Sequence, residues 1–407
     1  MLNVIPPGKL LSHVHDFLCM GYKKLPLNQC IERILAKDII ATECIPTFRR
    51  STMDGYAVRS SSTYGASESN PALFFIKETI DMGKIPNHAI GTQEVSKIAT
   101  GGMLPEGADS VVMVEHTDII DEQTIEIYKS VAPFQNVIDI GEDISINSIL
   151  RKKGQTIRPQ DLGAAAALGI QELCVYERPV VGIISTGDEI VPIYQKPVTG
   201  QIRDINQYTL SGQVFQNGGH PKFIDNVPDN FEALYDACKK AISTCHMLLI
   251  SGGSSVGIRD YTIDVIQKLD RAKIIAHGVS IQPGKPTILA RIDNIPVWGL
   301  PGHVTSAMIV FHILVRPFLR KLAGEENQPF YANSTVRARL VRNIASAQGR
   351  EEYVRVQLTQ SKDAIDAIPV QGQSGLIRTM VQADGLIMIP ENAEGVEQGT
   401  IVDVILL

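Results

Sequence analysis

The chain contains no CxxC pair. Its six cysteines (Cys19, Cys30, Cys44, Cys174, Cys238 and Cys245) lie scattered over 407 residues. That spacing suits neither a zinc site nor a disulfide framework, so reduced thiols and a cytoplasmic setting are expected. No apolar run approaches the ~20 residues of a membrane span, and Met1 to Met20 lacks the layout of a secretory signal. A formal net charge of −6 excludes a general binder of nucleic acid or of an anionic membrane surface. Any phosphate must therefore be held locally, by a few cations and backbone donors. His13 and His15 stand two apart in a stretch that reads as helix, so they point to different faces and form no metal pair.

The stretch that organises the rest is His246 to Tyr261, HMLLISGGSSVGIRDY. Met247 to Ile250 reads as a buried strand, Ser251 to Gly257 as a Gly/Ser turn, and Tyr261 to Leu269 as a helix. A strand, glycine turn and helix in series present unpaired N–H groups, and the helix dipole adds to their pull on anions. Gly252, Gly253 and Gly257 let backbone approach a ligand, Ser254 and Ser255 add hydroxyls, and Asp260 is placed to cap the helix or hold a cation. The spacing is neither G-x-G-x-x-G nor a P-loop. On these residues alone, an anion-binding turn and a plain structural turn both remain open.

Along the chain, Leu10 to Met20 and Leu25 to Ala41 carry the spacing of amphipathic helices, with a break at Gly21. Ile45 to Arg59 reads as an exposed loop containing the Asp54-Gly55 turn signal. Leu73 to Val131 reads as a small β domain, in which Thr100 to Glu115 is a glycine-proline turn feeding an apolar strand. Gln160 and Asp161 open an alanine-rich helix whose Ala164 to Ala167 should pack closely, and Val175 to Pro179 reads as a linker. From Pro179 to about Ala323 strands and helices alternate, which implies a mostly parallel sheet with helices on both faces. In such sheets ligands sit at the carboxyl ends of the strands. Ser185 to Glu189, Asp225 to Asp229, the Gly/Ser turn and Gly299 to Ser306 all fall there. The tail from about Gln328 alternates again and reads as a β-barrel.

Several groups admit both a chemical and a structural role. Asp188-Glu189 directly follows a strand and could bind Mg2+ or cap the next element; Asp225 and Asp229 are N-cap candidates first. Lys285, on the tight turn Gln282 to Thr287, suits an oxyanion as a point charge. Leu300-Pro301-Gly302-His303 is a further backbone-donor turn, with His303 expected as a cap. Taken together, an acidic, Gly/Ser-rich cleft with one well-placed lysine suits a Mg2+-bridged phosphate or nucleotide better than a hydride cofactor.

These motifs coincide with those of a known family. The chain resembles the molybdopterin molybdenumtransferases, the MoeA proteins and the E domains of gephyrin-type proteins. The matching stretches are STMDGYA at Ser51, GADSVV within Thr100 to Val114, GEDI at Gly141, and GQTIRPQDLGAAAALG ending at Gly169. They continue with STGDEI at Ser185, GQIRDIN at Gly200, SGGSSVGIRDY, PGKP at Pro283 and GLPG at Gly299, in one order over essentially the whole chain.

The resemblance implies a multidomain α/β plus β fold in four domains: an elongated, discontinuous domain I (1–26, 46–54 and 141–176) with an inserted small β domain II (27–45 and 55–140). Domain III (177–326) would be a central molybdopterin-binding α/β domain with a mostly parallel sheet, and domain IV (327–407) a C-terminal β-barrel. It implies a homodimer with a shared active cleft, and insertion of molybdate into adenylylated molybdopterin with release of AMP and a requirement for Mg2+. Carried over by motif, Glu189 and Asp260 would hold Mg2+ and the phosphoanhydride. Asp229, Asp143 and Asp54 would line the cleft, with Thr100 at its rim. Gly252, Gly253, Ser254, Ser255, Gly257 and the Pro301 turn would contact the pterin or nucleotide, and Lys285, Arg350 and Ser374 the molybdate. A MogA-type adenylyltransferase is the partner expected; nucleic acid and membrane are not.

The chain departs from the family pattern at Gln282, where lysine is common, and at Ser254, where valine is. Ile205 replaces a serine, and His303-Val304-Thr305 stands for Asn-Pro-Val. These changes leave molybdate and tungstate both open. A non-catalytic gephyrin-type scaffold and an adenylyltransferase are the rival classes; retention of Asp54, Asp143, Glu189, Asp229 and Asp260 argues against the first, and the extra domains against the second.

Overall fold

The computed structural model describes residues 4–252, 261–326, 334–362 and 364–407. The chain divides into two compact units, one made of Asp38–Lys152 with Arg158–Gln171 and the other of Met1–Lys37, Lys153–Ile157 and Glu172–Leu407.

The larger unit is built on a six-stranded sheet in the order His220–Val227, Val180–Thr186, Met247–Ser251, Ile295–Leu300, Ile288–Ile292, Ala272–His277. The first four strands run parallel and the last two pairings are antiparallel, so Ile288–Ile292 runs against the other five and the sheet is mixed but mostly parallel. The reversal has a local cause. Only Asp293 and Asn294 separate the strands Ile288–Ile292 and Ile295–Leu300, and Asp293 takes φ 51°, a hairpin too short for any parallel crossover. The central strands are buried along their whole length because helices cover both faces. Val181, Ile183, Met247, Leu249 and Trp298 pack with Leu210 and Val214 of the helix Asn206–Gln216 and with the helical run from Val304 to Leu322. Ile184, Leu248 and Ile250 pack on the other side against Phe231–Ile242 and Tyr261–Lys268.

The same unit carries a closed barrel. Glu351–Gln360, Ile365–Pro369, Thr335–Leu340, Ile401–Leu406 and Gly385–Ile389 pair in that order, and the last strand pairs back to the first. Val356, Ala367, Ile387 and Val404 fill its interior. Closure removes the free edges that an open sheet would expose. The short strand Ile281–Gln282 joins the barrel sheet by parallel pairing to Glu351 and Glu352.

Near the N-terminus the expected helices are mostly overturned. A short helix, Pro7–Ser12, and a 3-10 turn, His13–Asp16, bury Leu10, Leu11 and Val14, but the chain leaves helix before Phe17. Leu25 to Ala41 is not a helix. Tyr22–Pro26 is a strand paired antiparallel with Glu172–Tyr176, which also replaces part of the expected linker at Val175. Pro26 cannot donate within a helix, and Leu35 is buried through a bridge to Val175 rather than on a helical stripe. The spacing of these apolar residues was coincidental.

In the smaller unit a six-stranded sheet runs Ser110–Met113, Gly55–Val58, Glu94–Ile98, Ala72–Ile80, Thr124–Ile127, Thr117–Ile119, in agreement with the β reading of Leu73 to Val131, whereas Gly55–Val58, expected within an exposed loop, is a buried strand. Tyr56 and Val58 face one cluster and Ala57 the other, so the strand Gly55–Val58 is buried on both sides. The alanine-rich helix forms at Pro159–Ala167, yet only Ala165 of its alanines is buried; Ala166 and Ala167 are exposed in the chain. Among the described residues no helix is long and apolar enough to cross a membrane.

The closing helical run of the larger unit contains a wide π turn, Phe311–Val315, that buries His312, whose Nε2 meets no partner among the described residues. Burial, with Arg316 nearby, pushes this imidazole down to about 4. An unfolded histidine titrates near ~6.5, so between those values the unfolded chain binds the extra proton and stability falls as pH falls. Equilibrium urea unfolding at pH 7 and pH 4.5 should therefore show His312→Phe losing less stability on acidification than the unsubstituted protein, by on the order of 2 to 3 kcal/mol. Equal losses in the two proteins would contradict the assignment.

Candidate functional site

The four parallel strands end together, and the loops after them meet there. Gly252, at φ 115°, follows Met247–Ser251, and a Cβ at this position would lie 2.2 Å from the carbonyl oxygen of Thr186. Only glycine permits that approach. The Thr186 hydroxyl donates to Asp229 Oδ1 at 2.8 Å, and the N–H of Asp229 donates to Asp188 Oδ1 at 3.0 Å. Asp229 is thus braced from two sides. It is not the helix cap, because Asn230 takes that place by accepting from the N–H of Ala233 at 3.1 Å. Asp225 lies inside the strand His220–Val227 and accepts the N–H of Asn226. Glu189 is exposed at the same edge, and no described residue donates to its carboxylate.

Asn206 is a tie that the sequence reading missed. Its amide nitrogen donates to Ser251 Oγ at 2.7 Å and to the carbonyl of Gly302 at 2.8 Å, joining the ends of two parallel strands. The GQIRDIN motif contained the signal, since Asn206 sits at the first helical position, where a side-chain amide can reach neighbouring loops. Beyond Gly302, His303 stands at the N-cap position of Val304–Val310 but makes no capping bond. Its Nδ1 instead shares a hydrogen bond of 2.8 Å with Ser374 Oγ. The N–H of Thr305 donates to the Ser374 carbonyl at 3.1 Å. Pro301 is buried beneath this turn.

Lys285 is exposed on the turn after Ile281–Gln282, whose Gly284 packs so closely on Val310 that a Cβ would come within 2.4 Å of Val310 Cγ2. Arg350 is half-buried, immediately before Glu351, whose N–H donates to the Ser280 carbonyl at 3.0 Å. The Lys285 turn folds back, because the N–H of Val279 donates to the Lys285 carbonyl at 2.9 Å, so Lys285 and Arg350 both adjoin the Val279–Ser280 backbone at the start of this short ladder. The Lys285 turn and the His303–Ser374 pair border the same helix, one at its last turn and one at its first. Gln282 keeps a buried amide oxygen that meets no donor among the described residues.

In the smaller unit the structure joins two further expected residues. Gly55 has no room for a Cβ, which would fall 1.9 Å from the Val112 carbonyl oxygen. That seats Asp54 at the start of its strand, and Gly55 pairs with Ile98. The N–H and hydroxyl of Thr100 both donate to Asp54 Oδ1, at 2.7 and 3.0 Å. These bonds hold the Asp54 carboxyl below the usual range. Asp143 is exposed, and its N–H donates to the Ile45 carbonyl. Asp109, inside GADSVV, plays a structural part, accepting from both the N–H and the hydroxyl of Ser60. Gly253, Ser254, Ser255, Gly257 and Asp260 lie outside the described residues.

Three family models match the chain in sequence. They are the MoeA N-terminal region (domain I and II) over residues 8–169, the "probable molybdopterin binding domain" over 182–321, and the MoeA C-terminal region (domain IV) over 337–407. The chain belongs to the MoeA family. A molybdopterin biosynthesis protein of Methanocaldococcus jannaschii, so named provisionally, is 37% identical over 393 residues, 95% of this chain and 92% of its own. A molybdopterin molybdenumtransferase of Staphylococcus epidermidis is 32% identical over 381 residues, 93% of this chain and 90% of its own. The crystal structure of a molybdopterin biosynthesis MoeA protein from Pyrococcus horikoshii superposes with a TM-score of 0.83 at 34% identity, covering 99% of each chain. The MoeA fold therefore extends over the whole molecule.

A separate pocket of about 200 Å3 in the larger unit is lined by Arg33, Arg178 and Arg320 together with Glu32 and Glu177. Arg33 donates to the Tyr176 carbonyl, Arg178 lies over the Phe215 ring and Arg320 pairs with Glu325.

The bond between Asp54 and Thr100 is directly measurable. A depressed carboxyl favours the fold above the unfolded pKa of ~3.9, and that gain is lost as pH falls through the folded value. In a carboxyl-carbon NMR titration Asp54 should titrate below ~3.9, and Thr100→Val should move it only part of the way back, because the backbone N–H remains. A midpoint unaffected by Thr100→Val would remove the hydroxyl from the account.

Proposed function

We propose that this chain transfers molybdate into adenylylated molybdopterin with release of AMP. The reading rests on MoeA family membership, on relatives named molybdopterin molybdenumtransferase, and above all on Asp229. That carboxylate is braced by Thr186 and by its own N–H bond to Asp188 at the shared end of four parallel strands. A fixed carboxylate at this edge lies where α/β sheets bind their ligands.

The residues present fit a magnesium ion. Glu189 offers an unengaged carboxylate at the same edge, and hard cations take oxygen ligands. Among the described residues no three acidic, histidine or cysteine side chains cluster as a closed metal cage. Magnesium sites commonly use only one or two protein carboxylates. When bound, Mg2+ would neutralise phosphoanhydride charge. Around it, Glu189 and Asp260 would supply the ligands, Asp229 would orient the anhydride or an attacking oxygen, and Lys285, Arg350 and Ser374 would hold the oxyanion. Asp54, Asp143 and Thr100 would complete the cleft across a homodimer. The substrate would come from an adenylyltransferase of the MogA type, in the cytoplasm.

The test is AMP release from adenylylated molybdopterin with Mg2+, adding molybdate or tungstate in turn. Release dependent on molybdate supports the reading; dependence on tungstate alone would rename the oxyanion, and no release with pure substrate would refute it. Asp229→Asn keeps an acceptor for Thr186 but loses the charge, so it should fold normally while turnover falls about a hundredfold or more. Full activity in that variant would deny Asp229 its role.

A further inference from the structure

We infer that His303 is the positioning residue for Ser374, and that their shared hydrogen bond leaves the serine hydroxyl free to bind the oxyanion substrate. The inference rests on the function proposed above and extends it to a residue outside the family pattern.

The geometry leaves Ser374 little other freedom. Its carbonyl is fixed by the N–H of Thr305, and the Thr305 hydroxyl reaches the Leu376 carbonyl at 3.4 Å. Arg355 grips the same loop, donating to the Gly372 carbonyl at 2.7 Å and to Thr379 Oγ1 at 2.6 Å. The backbone is therefore anchored on both sides of Ser374, and the hydroxyl is the part still able to turn. Among the described residues, His303 Nδ1 is the side-chain atom that engages it. The turn that carries His303 is itself held, since Asn206 donates to the preceding Gly302 carbonyl and to Ser251 Oγ at the strand edge. Ser374, on the barrel, is thus coupled through three hydrogen bonds and one turn to Ser251 at the carboxyl edge of the parallel sheet.

A serine hydroxyl carries one proton. If it donates to a bare Nδ1, nothing is left for a ligand. If Nδ1–H donates to Oγ, the hydroxyl proton is free to meet an oxyanion. A group at position 303 that donates from the Nδ1 position is what such a site requires. Asparagine can do this, because its amide nitrogen is as many bonds from the backbone as Nδ1 of histidine. Glutamine cannot, because its amide lies one bond further out.

The experiment compares the unsubstituted full-length protein with His303→Ala, His303→Asn, His303→Gln and Ser374→Ala. The AMP-release assay is run against oxyanion concentration, and molybdate is titrated by calorimetry in the absence of the pterin substrate. Expected are an oxyanion KM and Kd raised about tenfold in His303→Ala and Ser374→Ala, with kcat within about twofold, and near-normal values in His303→Asn but not in His303→Gln. The double variant His303→Ala with Ser374→Ala should be no worse than either alone, because the two residues act as one unit. Thermal melts and far-ultraviolet dichroism establish that each variant folds. Unchanged KM and Kd in a folded His303→Ala, rescue by Gln as good as by Asn, or additive single effects would each overturn the inference. If no AMP is released by any variant, the proposed reaction has failed, and the calorimetry decides alone: molybdate bound less tightly by His303→Ala but not by His303→Asn sustains the pair, and no binding by the unsubstituted protein ends it.

Discussion

At Gly252 the end of a buried strand is pressed against the Thr186 carbonyl, at a separation that admits no side chain. Much of the candidate site depends on that contact. It brings the strands Val180–Thr186 and Met247–Ser251 to one level, so that Thr186 can brace Asp229 while Ser251 receives Asn206. A methyl group here would have to displace backbone, and backbone in the middle of a mostly parallel sheet has nowhere to go. The chemistry-bearing side chains are therefore positioned by a residue with no chemistry of its own. Gly55 repeats the device in the smaller unit, where the missing side chain lets Asp54 stand beside Thr100.

The central domain was legible because its pattern is strong. Continuous apolar runs bounded by turns can be little else than strands buried on both faces, and the helices between them show clear amphipathic spacing. Helices Asn206–Gln216 and Phe231–Ile242 fall within Pro179 to about Ala323, where the sequence alternates strands with helices. The segment from Leu25 to Ala41 was not legible, because its structure depends on a partner far along the chain. Spacing that imitates a helix cannot reveal a strand whose pairing is supplied from elsewhere.

Individual site residues show the same division. Asp54 with Thr100, and Ser374 with His303, were singled out by motif, and the structure joins each pair. The bracing of Asp229 by Asp188, the tie made by Asn206 and the capping by Asn230 were not foreseen. Each is a polar bond whose geometry exists only after folding. Residue type states what a side chain can donate or accept, but not which neighbour will be within 3 Å.

The interleaving of the two units in the sequence has a consequence for how the protein is made. The first strand of the larger unit, Tyr22–Pro26, has its partner at Glu172–Tyr176, and the whole of the smaller unit is synthesised between them. On the ribosome that strand must wait, unpaired, while about 145 residues follow it, and contacts of such separation form slowly. The smaller unit can bury its own core in that interval, since its sheet is drawn from one contiguous stretch, residues 55–127. Assembly should thus proceed from the inserted unit outward. The chain's first strand would then find its partner only after the inserted unit has been made.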